Sequence, residues 1–185
     1  MFPMAVAKLL FVLLLMQATL ASASVSTPKE VANAFYAWVI QYDHGGLPSE
    51  SALKAGEDLL STELTRLLRA TKATEDRCVA LTPADMKPPI FEGSLLVGNY
   101  ESATKVISMR VRPSAGGVSV LSRLEYRYQK QDSTWDAVHW RDRLLLVREN
   151  GNWVVSDSQW QMKNRSLVVT LKDYIHANCR HADNS

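Results

Sequence analysis

The C-terminal half of the chain constrains the fold most tightly. From Val106 to Trp160, apolar and polar residues alternate in four stretches rich in β-branched and aromatic side chains. That period of two predicts strands over 106–112, 118–131, 136–149 and 153–160. The links between them are short: Pro113 to Gly117, Asp132 to Thr134, and Asn150-Gly151. Asn-Gly is a strong hairpin signal, because both residues accept the positive φ of a type I′ turn. Parallel neighbours need a crossover of about a dozen residues or more, so these links imply an antiparallel meander.

The N-terminal half has a different period. Thr27-Pro28-Lys29-Glu30 reads as a capping box with proline at the first helical position. Val31, Ala34, Phe35, Trp38, Val39 and Tyr42 then recur at helical spacing. A helix over 28–43 is expected, ended by Gly45-Gly46, with Phe35 and Trp38 on its apolar stripe and Tyr36 facing away. A second helical region begins after Pro48, breaks near Ser61 and restarts toward Cys78, with Leu64, Leu67 and Leu68 on one face. Residues 79–103 read as irregular, punctuated by Pro83, Pro88-Pro89 and Gly93. Ile90, Phe91, Leu95 and Leu96 imply that this segment is packed. A loop this long in a small domain is often functional, so it is a candidate ligand or partner surface. Ser166 can cap a last helix carrying Leu167, Leu171, Tyr174 and Ile175 on one side. Helices followed by strands indicate α+β, with helices on one face of an antiparallel sheet of about four strands.

Residues 1–23 read as a signal peptide. Lys8 precedes the short apolar run Leu9-Leu-Phe-Val-Leu-Leu-Leu-Met16, and Ala21-Ser22-Ala23 forms a small-residue cleavage site. The run is shorter than the roughly 20 apolar residues of a spanning helix. Cleavage after Ala23 is expected, leaving 24–185 as a single exported domain with no membrane span; an uncleaved anchor is the alternative reading. In an oxidising compartment, Cys78 and Cys179 are expected to form a disulfide. Free thiols or an intermolecular bond are the alternative. His176 and His181 stand near Cys179, but no second ligand cluster follows a zinc spacing, so no metal and no cofactor are expected.

Charge excludes some partners. The 185 residues carry 21 Lys+Arg against 19 Asp+Glu, a formal +2. Nucleic-acid binding usually shows a basic patch or stripe, and this balance gives no sign of one, so no nucleic-acid partner is expected. No G-x-S-x-G elbow, phosphate loop, H-E-x-x-H or paired C-x-x-C occurs.

Longer stretches carry a resemblance. "VANAFYAWVI", "LLSTELTRLL", "KPPIFEGSLLVGNYES" and "LLLVRENGNWVVSDSQW" together resemble bacterial periplasmic DUF3828-type proteins of the NTF2-like (cystatin-like) superfamily. The resemblance spans about residues 27–175. It implies a periplasmic protein with a cone-shaped fold: N-terminal helices on a curved antiparallel sheet, often with a pocket between them. Many such domains bind ligands or partners and only some are enzymes, so the fold bears on where a pocket lies and not on its chemistry.

Side chains alternate between the faces of a strand. Asp142 therefore shares a face with Val138, Trp140, Leu144 and Leu146, and Asp157 with Trp153 and Val155. Two carboxylates at apolar parity suggest a polar pocket that binds a ligand or supplies an acid and a base. The bland alternative is that one of them caps backbone groups, or that a bulge reverses parity. Trp140, Trp153 and Tyr126 would line such a pocket. His139, Arg141 and Arg143 fall on the other parity, as do Arg123, Glu125 and Arg127, giving a solvated or partner-binding face. The leading expectation is a non-enzymatic domain that binds a protein or small ligand in the cell envelope, one form being an immunity or inhibitor protein. A small enzyme using Asp142 and Asp157, and a structural accessory domain of an envelope complex, are the alternatives.

Overall fold

The computed structural model describes residues 26–161 and 164–179. The leader expected over 1–23, and His181, lie outside them. The chain forms helix α1 (Pro28–Tyr42), a short α2 (Glu50–Ala55), one 3-10 turn (Glu57–Leu59) and the long α3 (Thr62–Leu81). Strands β1 (Lys105–Ser114), β2 (Gly117–Gln129), β3 (Trp135–Glu149), β4 (Asn152–Trp160) and β5 (Arg165–Ser166) follow, then α4 (Leu167–Ala177). The strands make one antiparallel sheet in chain order. This is the α+β arrangement expected, with one addition. β5 is a two-residue return along β4, pairing Gln159 with Ser166 and Trp160 with Arg165. Two residues are too few to show a period, so the sequence pattern missed it.

Local chemistry explains where the elements begin. Thr27 and Glu30 close a reciprocal capping box, the Thr27 amide donating to Glu30 Oε2 at 2.7 Å and the Glu30 amide to Thr27 Oγ1 at 3.3 Å. Ser49, Ser61 and Ser166 cap α2, α3 and α4 in the same sense. At the β3–β4 turn, Asn150 and Gly151 take φ of 50° and 83°, the conformation that selects this residue pair.

Helix α1 lies against β1, β2 and β4. Its buried set is Val31, Ala32, Phe35, Tyr36, Trp38 and Val39. That arc is wider than the stripe read from spacing. Tyr36, expected to face away, is fully buried. The helix is enclosed on more than one side, so a second row, Ala32–Tyr36–Val39, is covered as well as the Val31–Phe35–Trp38 row.

The segment between α3 and β1 is pinned at several points. Gly46 donates its amide to Gly93 O at 2.7 Å, Phe91 donates to Glu75 Oε1 at 3.0 Å, and the Ser94 hydroxyl meets the Asp43 carboxylate. The Phe91 ring packs on Tyr174, with centroids 4.6 Å apart. Leu95, Leu96 and Val97 then enter the core.

Helices α3 and α4 pack together, and a disulfide joins Cys78 to Cys179 across 101 residues of sequence. Closing a loop of this size restricts the unfolded chain by roughly 4–5 kcal/mol. Replacing both cysteines by serine should therefore lower the urea midpoint of unfolding substantially, and reductant should shift the parent protein alone. An unchanged midpoint in the double variant would show that the bridge does not constrain the chain.

Candidate functional site

The only carboxylate among the fully buried described residues is Asp142, on the core side of β3. Its register neighbours are Ser122 on β2 and Trp160 on β4, so one polar row crosses the apolar face of the sheet. Burying a charge is costly unless donors replace water. Here Asp142 Oδ2 accepts a hydrogen bond from the Gly98 amide at 2.8 Å and from Trp140 Nε1 at 3.0 Å. Trp140 is two residues back on the same face, so the strand period aims its indole at the carboxylate.

Gly98 makes this contact possible. A Cβ placed there would lie 2.5 Å from Asp142 Oδ1 and 3.0 Å from Trp160 Cβ. No other residue allows the loop backbone this close. Leu95–Val97 and Gly98 thus form a plug, apolar at its side chains and tied to the sheet by one charge-assisted hydrogen bond. Tyr36 approaches the same row from α1. Burial, reinforced by the Asp142 charge, pushes its phenol far above the usual range, and the nearby Ser122 hydroxyl opposes this. That pair falls outside strict hydrogen-bond geometry: the Tyr36, Ser122 and Ser158 hydroxyls are buried with no hydrogen-bond partner among the described residues.

Asp157 does not join this row. Leu145 pairs with Asp157 but Leu146 pairs with Val155, so Ser156 is an extra residue in β4. The bulge reverses parity. Val155 stays in the core while Asp157 turns to the opposite face, which corrects the shared face read from strict alternation. Its Oδ1 accepts from the Val168 amide at 3.0 Å, and Ser166 Oγ accepts from the Val169 amide at 3.2 Å. Between them the two side chains satisfy two of the unpaired N–H groups that open α4. Partial burial raises the Asp157 carboxyl above its ordinary 3.8, and the Val168 amide and Ser166 hydroxyl oppose the shift.

The remaining candidates are dispersed. Trp140 is buried beside Asp142. Tyr126 pairs with Val138 nearer the β2–β3 turn and stacks on Tyr128 at 5.9 Å. Trp153 pairs with Arg148 near the β3–β4 turn, and the Arg148 guanidinium sits 4.6 Å from its ring centre. The structure brings together Trp140 and Asp142, and leaves Tyr126, Trp153 and Asp157 elsewhere. Tyr36, Gly98, Ser122 and Trp160 are the residues that strand parity alone did not assemble. One carries a local signal: Ser122 alternates with the apolar Val120 and Leu124. Gly98 carries no local signal.

An open groove of about 620 Å³ runs between β4 and α4, lined by Arg143, Gln159, Trp160, Arg165 and Ser166 among others. A second cleft lies over β1–β3. Neither Asp142 nor Asp157 lines either of them.

Two stability measurements test these roles. Asp142→Ala strands the Gly98 amide and the Trp140 indole, and should cost about 3 kcal/mol or more in urea unfolding. Gly98→Ala should also destabilise. Because both changes break one contact, the double variant should lose less than the summed single losses; full additivity would separate the two residues. For Asp157, the folded carboxyl is raised, so its protonated form favours the fold. That contribution is fully present below the ordinary value of 3.8 and is lost as pH rises through the folded value. Relative to Asp157→Asn, the parent protein should gain stability as pH falls from neutral toward 3.8. Parallel pH profiles for the two proteins would contradict this.

Compared with protein-family models, curated proteins and solved structures, the chain matches none.

Proposed function

We propose that this chain is an exported binding or protein-interaction domain of the NTF2-like kind, related to DUF3828-type periplasmic proteins and carrying out no reaction of its own. The observation that carries the reading is how the two candidate carboxylates are used. Asp142 holds the plug loop through Gly98, and Asp157 holds the start of α4 through Val168. Both bond to backbone amides of the fold itself, and neither lines the two clefts described above. A general acid or base must reach a substrate proton within hydrogen-bond distance.

The coarse architecture supports the same reading. A helical layer on one face of an antiparallel meander leaves the other face of the sheet open to a partner. The leader sequence and the disulfide are compatible with work outside the cytoplasm. Neutralising a secreted effector is one form such a function would take.

The test is to isolate the mature protein from its native envelope, without denaturant, and weigh it by native mass spectrometry. A stoichiometric bound protein or ligand is the expected result. Recovery of the bare chain alone, under conditions that preserve other envelope complexes, would overturn the proposal.

A further inference from the structure

The face of the sheet turned away from the core carries five arginines in three neighbouring rows. Arg123 and Arg141 stand directly opposite one another on β2 and β3, with Ser108 of β1 beside them. In the next row Arg110 and Arg143 flank Leu121, and in the row after it Arg112 lies beside Ser119. All five are exposed. Strands about 4.8 Å apart and same-face residues about 6.7 Å apart place them within an area roughly 15 Å across. Arg110, Arg112, Arg123 and Arg141 line a cleft of about 430 Å³, with Ser108 and Leu121.

Among the described residues, none of the five takes part in an ion pair, whereas Arg66, Arg69, Lys72, Lys130 and Arg165 each have an acidic partner. Glu125 and Asp157 occupy the same face but are engaged. Glu125 meets His139 at 3.1 Å, and Asp157 accepts from Val168. Like charges directly opposite on paired strands are destabilising. The Arg123–Arg141 pair therefore costs stability in the isolated protein, and an anion in the cleft would reverse the sign of that cost.

The chemistry of the cleft narrows the anion. Its cations are all arginine, whose planar fork suits bidentate contact with phosphate or carboxylate. No aromatic side chain lines it, so it lacks the stacking platform with which proteins hold single-stranded nucleic acid. It is concave and falls within the size range of small-molecule sites. Four clustered positive charges call for dense negative charge. Two phosphate monoesters, at about −1.5 to −2 each, supply it from a compact ligand.

We propose that the cleft over β1, β2 and β3 binds a compact ligand bearing two or more phosphate groups, either a soluble phosphorylated molecule or a lipid headgroup. This assignment rests on the reading of the chain as a binding domain and supplies its ligand class.

The test uses the full mature chain. Tripolyphosphate serves as the soluble probe, and phosphatidylcholine vesicles with or without cardiolipin as the lipid probe. Binding is followed by calorimetry, thermal unfolding and cosedimentation. The protein should bind one of the two probes, and a soluble ligand should raise its unfolding temperature. A response to tripolyphosphate identifies a soluble source, and cosedimentation that depends on cardiolipin identifies a membrane source. Arg123→Ala with Arg141→Ala should weaken binding about a hundredfold. The same double change should leave the ligand-free unfolding temperature unchanged or higher, because it removes a like-charge pair. A control pair, Arg66→Ala with Arg69→Ala, removes equal charge elsewhere and should bind as the parent does. Failure of both probes, or equal weakening in the two double variants, would overturn the cleft. A native envelope partner whose binding survives loss of Arg123 and Arg141 would also overturn it, while leaving the broader binding-domain reading intact.

Discussion

The carboxylate of Asp142 is the constraint around which the interior is organised. It sits on the core side of the sheet's central strand, where an unpaired charge would be intolerable. Hydrogen bonds from the Gly98 amide and the Trp140 indole make it tenable. The requirement then propagates. The loop must approach as closely as only glycine permits, which draws Leu95–Val97 into the core. Tyr36 must place its phenol near the same row, which sets how α1 is rolled on the sheet. Removing the carboxylate alone would leave the Gly98 amide and the Trp140 indole without their acceptor in the core, so the position of the loop depends on it.

One extra residue, Ser156, divides the sheet's chemistry between its faces. Before the bulge, β4 supplies Val155 to the core; after it, Asp157 is turned outward while Ser158 and Trp160 return to the core. The outward carboxylate is then free to meet the first turn of α4, where unpaired amides favour negative charge. The same outer face gathers Arg110, Arg112, Arg123, Arg141 and Arg143. The sheet therefore has two polar regimes. Inside, charge meets the fold's own donors; outside, five arginines gather without an acidic partner among the described residues.

Much of this is legible in the sequence alone. Thr27 and Glu30 announce the start of α1, and Asn150-Gly151 the β3–β4 turn, because both signals act over a few residues. Strand parity put Asp142 on the core face correctly, since no bulge intervenes between it and Trp140 or Leu144. The same rule misplaced Asp157, because a bulge is defined only against a partner strand. Tyr36 was assigned to the wrong side because the width of a helix's buried arc depends on what encloses it. The arginine cluster was visible as separate alternating charges, but not as a cluster, because cross-strand register joins residues more than a dozen positions apart.

The sequence by itself determined the order and direction of the first four strands, the helix starts and the only cysteine pairing possible within one chain. Link length, capping and the presence of two cysteines are local or countable, and they need no knowledge of packing. Only the tertiary structure decided that Asp157 turns away from the core, that the Leu95–Gly98 segment plugs it, and that five arginines converge without an acidic partner among the described residues. Those outcomes depend on register and enclosure, which are energies of contact between distant segments and leave no periodic trace in the chain.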